Sequence, residues 1–156
     1  MTDVQTPARG SLLALGCWLN DLAQSVPDGV LKLLLRLGIA SVFFKSGLVK
    51  LASWQSTVML FEMEYRVPVL GPETAAVIAA IFELGMPPLL ALGLFTRLAA
   101  LPLLGMTAVI EIFVYPLNWS EHLIWASILL LLVCRGPGGL SLDHFLRPRL
   151  LRRIGR

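Results

Sequence analysis

Apolar residues fill this chain in long blocks, separated by short stretches of proline, glycine and charge. Near the N-terminus, Leu12, Leu15, Trp18 (or Leu19) and Leu22 recur at helical spacing, with Val26 after them. Asn20, Asp21 and Gln24 form the other face. This segment is too short to cross a bilayer and predicts an interfacial helix on the cytoplasmic surface. Residues 1–10 ahead of it are polar and read as disordered. Pro27-Asp28-Gly29 ends the helix.

Four longer apolar blocks follow, at about Val30–Leu51, Glu73–Phe95, Leu98–Tyr115 and Ser120–Cys134. A spanning helix needs about 20 residues; the fourth block is short and reaches that length only if its flanks snorkel. Between the first two, Trp54, Val58, Phe61 and Tyr65 recur every three or four residues. They predict an amphipathic helix on the outer interface, ended by Pro68, Gly71 and Pro72. The remaining connections are tight turns, which make sequential helices antiparallel neighbours. The pattern therefore predicts an all-α, four-transmembrane-helix antiparallel bundle. Residues 1–29 form a cytoplasmic N-terminal segment, 30–135 the transmembrane domain and 136–156 a basic cytoplasmic tail. Arg135-Gly136-Pro137-Gly138-Gly139 stops the last helix. Beyond it Leu142, Phe145, Leu146 and Leu150 oppose Arg147, Arg149, Arg152 and Arg153, a basic amphipathic segment suited to anionic lipid.

Composition strengthens the membrane reading. Hydrophobic residues make up 56% of the 156 and charged residues 15%, against about 25% charged in ordinary soluble domains. Mean hydropathy is +0.77. A domain of this size could not bury so much apolar surface without lipid. The net charge of +3 does not argue for nucleic acid, because the basic residues crowd the ends of apolar blocks. Arg36, Lys50, Arg97 and Arg135 read as membrane-anchoring positions. Arg9, Lys32 and Arg36 on the N-terminal side, Arg97 in the middle turn, and Arg135, Arg147, Arg149, Arg152, Arg153 and Arg156 in the tail predict cytoplasmic termini and an outer loop at 52–72. Cys17 and Cys134 form no C-x-x-C pair, and no Cys/His metal cluster is present in the sequence. The N-terminal apolar stretch lacks a cleavage site and does not read as a removed signal peptide.

Charges inside apolar spans are costly and mark candidate functional positions. Glu83 falls near the middle of the second block. Lys45 falls about 7 Å outward of the middle of the first, at about 1.5 Å per residue. Glu111 lies in the outer half of the third, and Glu121 and His122 open the fourth. Lys45, Glu83, Glu111 and His122 are thus a candidate polar cluster. In one reading Lys45 pairs with Glu83 or Glu111 and locks the bundle. In the other the groups form a proton or ligand site with shifted pKa values. His122 is either a hydrogen-bonded interfacial side chain or a group that titrates near neutrality. Pro87 and Pro88 free the carbonyls of Glu83 and Leu84, as a packing kink or as acceptors beside a cavity. Gly38, Ala40, Ser41 and the stripe Ala75, Ala76, Ala79 and Ala80 allow close helix contacts. Trp54, Tyr65, Tyr115, Trp119 and Trp125 suit an aromatic belt.

Three stretches in this order resemble the DoxX family of small four-helix bacterial membrane proteins. They are Arg36-Leu37-Gly38 with Phe43-Phe44-Lys45-Ser46-Gly47-Leu48-Val49-Lys50-Leu51, then Glu83-Leu84 followed by Leu92-Gly93-Leu94-Phe95-Thr96-Arg97-Leu98-Ala99-Ala100, then Gly136-Pro137-Gly138-Gly139-Leu140-Ser141-Leu142-Asp143. Phe113-Val114-Tyr115-Pro116 with Trp119, His122 and Trp125 is similar to members found beside copper-responsive, bufferin-type peptide-biosynthesis genes. The resemblance covers about residues 30–146 and implies a bacterial inner-membrane protein with polar family positions at Arg36, Lys45, Lys50, Glu83 and Arg97. Some relatives are subunits of thiosulfate:quinone oxidoreductase and others belong to oxidative-stress complexes, so the family fixes a fold rather than a reaction.

The expectation is an accessory inner-membrane subunit of a redox or metal- and oxidative-stress system. It would act with a redox or peptide-biosynthesis partner and have quinone as its possible ligand, with no intrinsic cofactor and no metal. The chain has no cofactor-binding fingerprint, which argues against autonomous oxidoreductase activity. An enzyme rival is a quinone-reactive catalytic subunit. A small transporter would use the Glu83/Lys45 site, and a non-catalytic anchor would only bind a partner. The lipid bilayer is the expected environment, nucleic acid is not an expected partner, and a homo-oligomer is compatible with the sequence.

Overall fold

A computed structural model describes residues 8–146. Among these residues the secondary structure is entirely helical. Helix α1 spans Ala8–Gln24 and α2 Asp28–Ala52. The short α3, Trp54–Leu60, runs on into a π-helical turn at Phe61–Tyr65. Helix α4 spans Pro72–Leu92. Helix α5, Thr96–Val109, likewise continues as a π turn at Ile110–Val114. Helix α6 spans Trp119–Arg135. A further turn of helix occupies 142–146.

The expected apolar blocks appear as helices, with ends shifted by a few residues. Two of them, Pro72–Leu92 and Thr96–Val114, are long and apolar enough to cross a membrane. Helix α2 carries Asp28, Lys32, Arg36, Lys45 and Lys50, and α6 has 17 residues. Residues 1–7 and 147–156 lie outside the described residues, and with them most of the N-terminal stretch read as disordered and the tail arginines from Arg147 onward.

Helix α2 packs on α4, α4 on α5, α5 on α6, and α6 returns to α2. Arg36 lies against Gly93, while Gly47 lies against Glu83 and Leu84. The chain directions of α2 and α4 therefore oppose. The small-residue expectation holds for Ala40 and the α4 alanines, which are buried. It fails for Gly38 and Ser41, which are exposed. The closest α2–α4 approach is at Gly47, where a Cβ would sit 2.8 Å from the Leu84 side chain.

One core cluster joins Ile39, Phe43, Leu90, Leu103, Leu129 and Leu132 with Ala40, Ala99 and Ala100. A second joins Phe61 to Ala75, Ala76 and Ala79. Outside these clusters the helices expose large apolar side chains, among them Leu34, Val49, Ile81, Leu98, Leu123 and Ile124. A soluble monomer rarely carries such extended apolar surface; hydrocarbon is its fitting solvent. Every described side chain of α1 is exposed, including Leu15, Trp18 and Leu22.

Candidate functional site

Glu83 projects from α4 and is 2% exposed. Its partner is Lys50, with Nζ 2.7 Å from Oε2 and donating to Oε1 at 2.8 Å. Ser46 Oγ donates to the same Oε1 at 3.2 Å and accepts from Lys50 Nζ at 3.0 Å. Ser46 and Lys50 are four residues apart and share a face of α2. Gly47 between them lets that face approach α4. Oε2 has its ionic contact but accepts no hydrogen bond.

The expected pairing of Lys45 with Glu83 or Glu111 is therefore corrected. Lys45 is exposed and forms no ion pair among the described residues. Five residues separate it from Lys50, which at about 100° per residue places it some 140° around the helix. Depth along the helix suggested Lys45; the facing direction selects Lys50. Lys50, expected as an anchoring charge, is instead mostly buried in the pair.

The second polar pair does join two of the expected residues. His122, 4% exposed, sits in the first turns of α6 with Nδ1 2.6 Å from Glu111 Oε2. Glu111 lies in the π turn that ends α5. The Trp125 ring lies 5.2 Å from the His122 ring and 5.6 Å from Phe43. Trp125 is thus a core-packed residue rather than a member of an aromatic belt.

Both pairs border one mainly apolar cavity of about 690 Å³. Ser46, Lys50 and Glu83 line it, as do His122 and Trp125. Glu111 stands behind His122 and Lys45 is not in the wall. With Nδ1 held by Glu111, His122 keeps Nε2 for whatever enters. Glu121 also reaches the lining.

The two π turns form one rim of the cavity and touch each other. Each is closed by an i→i−5 bond, Arg66 N to Phe61 O at 3.1 Å and Tyr115 N to Ile110 O at 2.9 Å. Tyr65 and Tyr115 meet edge to face at 5.8 Å. Tyr115 Oη donates to Glu64 Oε1 at 2.6 Å. That hydrogen bond, with some burial, pushes the Tyr115 phenol well above its ordinary value. Tyr65 is also raised, chiefly by burial. Neither π turn has a signal in the apolar periodicity. Pro87 and Pro88 lie within an α4 that continues through them.

The remaining expected positions lie at the opposite end of the molecule. Arg36, read as a membrane-anchoring charge, is fully buried and donates from Nη2 to Leu140 O. Asp143 accepts from Phe95 N at 2.8 Å and Thr96 N at 2.9 Å, and its own N–H donates to Gly93 O at 2.9 Å. Arg97 and Arg135 are exposed there. Among the described residues no group of three or more His, Cys, Asp or Glu could hold a metal ion.

Helices throughout the described residues, lipid-compatible outer surfaces and charge pairs beside a mainly apolar cavity make this a membrane-type helical protein. The DoxX family model matches residues 31–116, and the chain belongs to the DoxX family. Among curated proteins and solved structures, nothing matches. His122 and Trp125 lie outside the matched stretch, whereas Lys50, Glu83 and Glu111 lie within it.

Proposed function

We propose that this chain is an accessory subunit of a bacterial inner membrane, crossing it four times with both termini cytoplasmic, and that its cavity holds a quinone-type ligand. It would serve a redox or metal- and oxidative-stress system whose partner protein supplies the electrons. Helices α2 and α6, with 25 and 17 residues, fall within the range of about 17–25 used by spanning helices. Arg97 and Arg135 at one end, with Glu62 and Glu64 towards the other, fit cytoplasmic termini.

The observation that carries the ligand reading is the cavity of about 690 Å³, mainly apolar, with polar groups at Ser46, Lys50 and Glu83 and around His122. Small-molecule sites are commonly concave, apolar and several hundred Å³, with a few placed polar groups. A quinone combines a flat apolar ring and an apolar tail with ring oxygens. Apolar walls would take the ring and tail. His122 Nε2 would hold one ring oxygen, and the Lys50–Glu83 pair would face the other. A bound quinone would supply two-electron, two-proton redox chemistry. Glu111 orients the His122 ring through Nδ1, so Nε2 would be the atom that meets a ring oxygen.

The test is extraction of the protein, purified in mild detergent, followed by mass spectrometry of its bound lipophiles. Wild type should retain a quinone, and His122→Gln should retain about tenfold less, the effect of one lost hydrogen bond to a polarised group. A wild-type protein without quinone, or equal retention by a folded His122→Gln variant, would exclude the reading.

A further inference from the structure

At the end away from the cavity, a second concavity of about 630 Å³ lies between the start of α5 and the loop after α6. Arg97, Arg135, His144, Gly138 and Gly139 line it. Both guanidinium groups are exposed, and neither is ion-paired among the described residues. Arg97 makes one long contact, from Nη2 to Cys134 O at 3.4 Å, which leaves most of its donors unused.

The loop adds backbone donors. Gly136 and Gly138 have φ of +76° and +85°, a region glycine enters without strain. Loops turned in this way can aim successive amides at an anion. Among the described residues, the Gly138 and Gly139 amides donate to no protein acceptor. A Cβ on Gly139 would meet nothing within 4 Å, whereas the Gly139 nitrogen lies beside Gly29. The acidic residue in the lining is Asp143, and both of its oxygens already accept from the first amides of α5. Lys32 lies beside Gly138 but is neutralised by Asp28 at 2.7 Å. Two guanidinium charges without ion-pair partners thus stand against the single carboxylate in the lining.

We infer that this concavity binds a phosphate-bearing anion. Guanidinium forks pair with phosphate oxygens by two parallel hydrogen bonds, and an unpartnered loop amide donates to a remaining oxygen. The phosphate comes either from the headgroup of an anionic phospholipid, which lies at the depth of helix ends, or from a soluble phosphate compound. The site is separate from the quinone reading and stands without it.

Thermal unfolding of the full chain in detergent, at constant ionic strength, tests the inference with three probes: phosphatidylglycerol, phosphatidylcholine and inorganic phosphate. Stabilisation by phosphatidylglycerol but not phosphatidylcholine assigns the phosphate to lipid; stabilisation by inorganic phosphate without anionic lipid assigns it to a soluble source. In either case R97Q/R135Q should lose the shift and R97K/R135K should keep part of it. R135Q alone, an exposed change that leaves the Arg97–Cys134 contact intact, should raise the half-maximal concentration about tenfold. Phosphate also stabilises proteins generally by exclusion from their surfaces, and that effect would persist in every variant. No shift from either anionic probe, or equal shifts in wild type, R135Q and R97Q/R135Q, overturns the site.

Discussion

At the Tyr115 end a buried carboxylate, Glu83, meets an ammonium and a hydroxyl, yet one of its oxygens accepts no hydrogen bond and a large cavity adjoins it. At the other end a buried guanidinium, Arg36, has a carbonyl as its hydrogen-bond partner, with Nε and Nη1 unpartnered. There the chain closes tightly, with Asp143 tied to the start of α5 and Nη1 pressed against Gly93. The second end leaves little space around Arg36, and its concavity lies beside Arg97 and Arg135 instead. The first holds a buried ion pair beside a mainly apolar cavity. A buried ion pair is weak evidence for stability, because apolar residues of similar volume often do as well. On the proposed reading, the Glu83 pair serves the cavity more than it holds α2 to α4.

The largest expected effect separates those two roles. Lys50→Met leaves Glu83 buried without its cation and should cost about 3–5 kcal/mol in denaturant unfolding. Lys45→Met, on an exposed face, should stay within about 0.5 kcal/mol. Equal costs for the two lysines would contradict the assignment of faces on α2. The double change Lys50→Met/Glu83→Leu should recover most of the loss while bound quinone disappears. If stability stays low in the double variant, the pair is a structural requirement after all.

A change at the tight end comes next. Gly93 has φ +69°, and a Cβ there would lie 1.7 Å from Arg36 Nη1. Gly93→Ala should cost at least about 1–3 kcal/mol from the backbone strain alone. Amide hydrogen exchange should accelerate at Phe95 and Thr96, where Asp143 caps α5, and remain unchanged in the π turn at 110–114. Uniform acceleration along α5 would mean that the two ends are not separable.

The rim should give the smallest effect. Tyr115 is partly exposed, so losing its bond to Glu64 in Tyr115→Phe should cost about 0.5 kcal/mol. The folded phenol titrates above the unfolded value of about 10. Its contribution is therefore intact below pH about 10 and lost as pH rises through the folded value. Tyrosinate absorbance during an alkaline titration should show one phenol fewer titrating late in the variant than in wild type. An unchanged late component would place the raised phenol elsewhere, at Tyr65.

Helix positions, α1 included, and the likeness to DoxX proteins were legible in the amino-acid order. Apolar periodicity and proline–glycine breaks are local properties, and each carries its own signal. Depth was legible too, since a residue's distance along a helix is a matter of counting. This drew attention to Glu83, Glu111 and His122, the last two of which meet. Azimuth was not legible in a helix apolar on nearly every side, because no polar stripe marks the face that turns inward. Tertiary packing chose Lys50 over Lys45 through the close approach at Gly47. It also buried Arg36 by bringing residues 104 positions apart, Arg36 and Leu140, into contact, and it placed the π turns whose i→i−5 bonds have no one-dimensional pattern. Sequence determined that this chain would be a set of apolar helices carrying a few costly charges. Only the packing decided which charges face each other and where space remains between them, because that depends on helix rotation and on contacts between residues distant in the chain.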